Sequence, residues 1–73
     1  MVYTVPVMIV KDPDGYFAQC PALQGCYAQG QSYEEALENI RDAVALHIHD
    51  RIAEGEDVPA LEAVSVTALQ VAA

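Results

Sequence analysis

With 73 residues, 53% of them hydrophobic, and a formal net charge of −8, the chain has room for one domain and one core, and it is too apolar to be intrinsically disordered. Acidic residues number eleven, against three cations, Lys11, Arg41 and Arg51. That balance excludes nucleic acid as a partner, since such binding needs basic groups to displace counterions from phosphates, and it argues equally against an anionic membrane surface.

A domain of this size buries only about 60% of the surface its unfolded chain exposes, so association is expected to hide the surplus apolar area. The negative charge either steers a basic protein toward the chain or simply keeps a small hydrophobic protein in solution. The segment from Met1 to Val10 has no basic leader and carries Tyr3, Thr4 and Pro6, unlike a secretory signal. No apolar run approaches the ~20 residues that span a bilayer. The expected setting is the cytoplasm, with Cys20 and Cys26 reduced.

Val2 to Val10 is rich in β-branched residues and predicts a strand. Tyr3, Val5, Val7 and Ile9 fall on one face, Val2, Met8 and Val10 on the other. Two apolar faces imply cover on both sides, a helix on one and a second subunit on the other. Pro6 cannot donate to a ladder, so it is expected at an unpaired overhang or a bulge. Asp12-Pro13-Asp14-Gly15 reads as a turn: Pro13 presets φ, Asp12 bonds the backbone ahead, and Gly15 accepts a positive φ. A second strand over Tyr16–Cys20, a short loop over Pro21–Gly25 and a third strand over Cys26–Gln29, ended by Gly30, complete an antiparallel meander.

Ser32 with Glu35 three residues later fits a capping box, and Glu34 and Glu35 suit the first helical turn. Tyr33, Leu37, Ile40, Val44 and Ile48 recur at helical spacing as one buried face, opposite Glu35, Glu38, Asp42 and His49. Gly55 and then Val58-Pro59 should end the helix, which is predicted over Tyr33–Glu54. Val64, Val66 and Ala68 alternate with Ser65 and Thr67 as a final half-buried strand. A right-handed crossover would set that strand parallel to the first, giving an α+β fold, β-β-β-α-β, with strand order 3-2-1-4 and one helix on one face. Residues 1–73 form a single domain, with no repeat, linker or low-complexity segment.

The chemistry-bearing side chains make no catalytic or metal constellation. Cys20 and Cys26 are spaced more widely than structural zinc pairs, and His47 and His49, two apart on a helix, point in different directions. The two cysteines flank a hairpin-like loop, where a disulfide is conceivable and two small buried hydrophobes is the preferred reading. A Cys20–His47 nucleophilic pair lacks a residue to orient the histidine and a glycine turn to hold an oxyanion, so His47 is expected to fill the edge of the core. The carboxylates cluster on turns and on the exposed side of the helix, not on strand interiors where a two-metal nuclease would need them. No catalytic residue, cofactor or metal is therefore expected.

The run Asp14-Gly15-Tyr16-Phe17-Ala18, the loop Cys20-Pro21-Ala22-Leu23-Gln24-Gly25-Cys26, and the stretch Gln29-Gly30-Gln31-Ser32-Tyr33-Glu34-Glu35-Ala36-Leu37-Glu38-Asn39-Ile40 together resemble the HicB-like antitoxin family. The match is collinear over nearly the whole chain and includes Val58-Pro59. The resemblance implies a truncated ribonuclease-H-like fold without the nuclease carboxylates. It also implies a non-catalytic role: neutralising a small basic RNA-cleaving toxin of the HicA type by covering its active surface. Many relatives carry a carboxy-terminal DNA-binding segment; this chain stops at Ala73, so DNA binding is not carried over. The alternative is a stand-alone homo-oligomeric interaction module, a dimer or tetramer without a toxin partner. Candidate partner or oligomer contacts are Tyr3, Tyr16 and Met8, as an apolar patch on the sheet face away from the helix, and Leu46, which projects opposite Leu37 and Val44. Tyr27 and Tyr33 are expected to pack around the helix start.

Overall fold

The computed structural model describes residues 2–58 and 67–73 of the chain. Its elements run β1 (Met8–Asp12), β2 (Gly15–Gln19), β3 (Tyr27–Gly30) and α1 (Tyr33–Ala53). The strands form an antiparallel sheet in the order β1-β2-β3. Asp12 pairs with Gly15 across the Pro13-Asp14 turn, and the register continues through Val10↔Phe17 to Met8↔Gln19. The Asp12 carboxylate accepts from the Asp14 amide at 2.8 Å, so the turn is held as its composition predicts.

The first strand is shorter and later than the expected Val2–Val10. It begins at Met8 because β2 offers only five residues, Gly15–Gln19, as partners. Pro6 thus lies ahead of the ladder, at the overhang, and costs no hydrogen bond. The fourth strand expected over Val64–Ala68 falls mostly on residues 59–66, outside the described residues. Thr67 and Ala68 are exposed and belong to no strand.

Helix α1 ends as the composition dictates. Ser32 sits at the N-cap with extended φ and ψ, and its hydroxyl accepts from the Glu35 amide at 3.1 Å. Past the C-cap Glu54, the Glu56 amide donates to the Arg51 carbonyl at 2.8 Å and the Gly55 amide to Ile52 at 3.1 Å. These two bonds make a Schellman motif, which requires a left-handed residue, and Gly55 supplies it with φ +72°.

The core lies between α1 and one sheet face: Ala36, Ile40, Val44 and Ile48 from the helix against Ala18, Cys20, Leu23 and Cys26. The buried stripe thus recurs every fourth residue from Ala36. Leu37 is only partly buried, and Tyr33, expected inside, is 49% exposed. The cause is Gly30. A Cβ there would sit 2.9 Å from Ala36 Cα and closer still to its amide nitrogen, so the bare glycine lets the helix descend onto β3 at Ala36 rather than at Tyr33.

Candidate functional site

Residues directly opposite one another in an antiparallel ladder share a face, so the register sorts the sheet. Ala18 is wholly buried under α1 and pairs with Ile9 and Ala28; Tyr16, two positions away, pairs with Lys11 and Gly30 on the same side. The opposite face carries Met8, Val10 and Asp12 from β1, Phe17 and Gln19 from β2, and Tyr27 and Gln29 from β3. Four of these seven are apolar or aromatic. Val10 is 49% and Tyr27 63% exposed, while Met8 and Phe17 are half-buried. The Phe17 and Tyr27 rings stack with centroids 6.0 Å apart and planes 28° from parallel, making a continuous aromatic surface across β2 and β3.

The expected contact residues do not converge. Met8 lies on this open face. Tyr16 lies on the helix side and packs against the core. Tyr3 sits in the segment before β1 and lines a groove of about 330 Å³ with Val5, Val7, Leu37, Ile40 and Val44. A second hollow of about 300 Å³ continues from Tyr3 along the helix to Ile52. Leu46 is 63% exposed on the solvent side of α1. Of the patch expected from Tyr3, Met8 and Tyr16, only Met8 remains on the outward face, because a strand starting at Met8 leaves Tyr3 outside the pleat. Val10, Phe17 and Tyr27, which were not among the expected contacts, share that face with Met8. The two-residue Pro13-Asp14 turn held the signal: it fixes Val10 against Phe17, and Ala18, the small residue beside them, marks the face that a helix can approach.

The cysteines are core residues. Cys20 and Cys26 are 2% and 3% exposed. The Cys20 amide donates to the Cys26 carbonyl at 2.9 Å, extending the β2–β3 ladder by one pair. Both thiols are free. Burial, and then the neighbouring Cys20 thiol, push the Cys26 thiol above its ordinary range. His47 is half-buried, His49 exposed, and among the described residues no hydrogen bond links a cysteine to either. No group of three or more His, Cys, Asp or Glu side chains among the described residues is placed to hold a metal ion. No helix among them is long and apolar enough to cross a membrane.

The family described as the HicB_like antitoxin of bacterial toxin-antitoxin system matches residues 3–72. A UPF0150 protein of Synechocystis sp. is 46% identical over 59 residues, covering 80% of this chain and 75% of its own. Another from Thermoplasma acidophilum is 41% identical over 68 residues, 92% of this chain and 96% of its own. A third, from Helicobacter pylori, is 52% identical over 46 residues, 63% of this chain and 64% of its own. Among solved structures, a chain of a HicA3 and HicB3 toxin-antitoxin complex superposes with a TM-score of 0.61 at 29% identity, over 75% of this chain and 64% of that one. The present chain therefore spans just under two thirds of that chain's length.

Proposed function

The chain belongs to the HicB-like antitoxin family, and from that premise we propose that it is a non-catalytic cytoplasmic protein that covers the active surface of a small, basic, HicA-type RNA-cleaving toxin. The observation carrying this reading is the family match over residues 3–72, together with the likeness to a chain of a toxin-antitoxin complex. The charge balance supports it. Eleven carboxylates face three cations, and one cation, Arg51, is already near Glu56 at 3.9 Å. Such a surface speeds encounter with a basic protein and repels other acidic ones.

The test is co-expression with the product of the gene neighbouring this chain's own. The expected result is a complex that survives purification and loosens as salt rises, as screening shortens the reach of the surface charges. Recovery of this chain alone, at low salt, counts against the proposal.

A second reading, a homo-oligomeric module, is favoured by the apolar groove beside α1, where Tyr3, Leu37 and Val44 line an open hollow. A monomer by light scattering at micromolar concentration removes it. In the antitoxin reading Leu46, Tyr3 and Tyr16 are proposed as peripheral or packing residues, and Met8 as a contact.

A further inference from the structure

We infer that the open sheet face is where the toxin docks, and that the face receives a cationic side chain of the toxin against the Phe17–Tyr27 ring pair; this rests on the antitoxin reading above. Three observations point to a cation rather than to a second copy of this chain.

The rings form a stacked pair at 6.0 Å, with Tyr27 63% exposed. An aromatic face carries negative quadrupole density that attracts a guanidinium or ammonium within about 6 Å. Next, every charged or polar group that the register sets on this face is acidic or neutral: Asp12 at one end, and Gln19 and Gln29 beside the rings. Asp14 adds a further carboxylate in the adjoining turn. The cations are elsewhere. Lys11 shares Tyr16's side of the sheet, Arg41 lines the grooves by Tyr3, and Arg51 lies by Glu56 and Asp57 near the end of α1. Finally, a second copy would bring another −8 toward this face with no cation on it to answer Asp12, a mismatch that costs affinity where a basic partner gains it.

Val10 and Met8 complete the arrangement. They give the partner an apolar floor beside the rings, so the contact has a desolvated centre and a polar margin of Gln19, Gln29 and Asp12, the anatomy of a protein–protein hot spot.

The experiment measures affinity of the purified chain for the product of the neighbouring gene, with the wild type and with Tyr27→Ala, Tyr27→Phe, Tyr27→Leu and Val10→Glu. Tyr27→Ala and Val10→Glu are expected to weaken binding about tenfold or more. Tyr27→Phe keeps the ring and should bind as the wild type does. Tyr27→Leu keeps apolar area without the ring and should fall with the alanine variant. Circular dichroism and the melting temperature monitor folding; Tyr27 is exposed, so its variants should melt near the wild type. If the wild type binds and all four variants bind equally, the docking face is wrong while the antitoxin reading stands. If Tyr27→Leu binds as well as the wild type, the cation is wrong. A wild-type chain that binds nothing overturns both readings. If the chain alone is a dimer that Tyr27→Ala splits without altering toxin affinity, the face is a self-association surface and the inference fails.

Discussion

At Gly30 a side chain would collide with the backbone of the first helical turn, at Ala36 and Glu35. Because that obstacle is main chain, relief requires α1 to lift from β3. Gly30→Ala is therefore expected to cost about 2 kcal/mol or more, read as a drop in the urea midpoint, although alanine ordinarily favours folding over glycine. Cys26 gives a pH signature. Its thiol is raised in the folded state by burial and then by Cys20, so the folded protein holds the proton after the unfolded chain has released it. The stability from the buried neutral thiol is complete below the ordinary thiol range, and it is lost as pH rises from about 8.5 toward the folded value. Denaturation of the wild type and of Cys26→Ala across that window should show a steeper decline in the wild type; parallel curves would refute the assignment. At this scale the sequence was least legible. Tyr27 and Tyr33 carry the same side chain and both read as packing residues. Only the register and the descent of α1 onto Gly30 show that Tyr27 is 63% and Tyr33 49% exposed.

Elements were more legible, because caps and turns are local chemistry. Ser32 and Gly55 bounded α1, and the Asp12–Gly15 turn placed β2, within a residue of their observed limits, whereas the limits of β1 were missed. Ser32→Ala should cost about 1 kcal/mol, measured by thermal or chemical denaturation, since it orphans the Glu35 amide. The reciprocal half of the capping box differs from expectation: the Glu35 carboxylate accepts from the Gln31 amide at 3.2 Å, one residue before the cap. Replacing Glu35 by Gln should therefore loosen the β3–α1 connection less than Ser32→Ala does. Strand β1 shows why the rest was hidden. A run of β-branched residues announces willingness to pair, but the length of a strand depends on its partner, and β2 stops at Gln19 before Cys20-Pro21. No property of Val2 to Val7 alone reveals that limit.

For the whole molecule, charge and apolar surface act at different ranges. In the proposed complex the excess of acids would set how fast a basic partner arrives and how strongly salt slows it, whereas the open face would set how long the partner stays. Raising ionic strength should thus lower the association rate of the complex while leaving dissociation nearly constant. Substitutions at Tyr27 should do the reverse. Stopped-flow or surface-based kinetics separate the two, and a salt effect confined to dissociation would contradict this division. That charge balance was legible from composition alone; the face on which the apolar residues lie needed the register.

The Asn39 side chain donates to the Gln29 carbonyl at 2.8 Å. Since Cys20 and Cys26 form a hydrogen-bonded pair of the β2–β3 ladder, the alternation turns the Gln29 carbonyl outward from the rim of β3. A foreign strand seeking to extend the sheet there would have to evict a side chain already anchored on α1. Asn39 is therefore expected to hinder fibrous growth, a hazard for a short sheet whose β3 rim carries no further strand among the described residues. Removing it by Asn39→Ala should leave the monomer only slightly less stable, by about 1 kcal/mol or under. The visible damage should instead be turbidity that climbs with concentration, as neighbouring molecules begin to knit together along that rim.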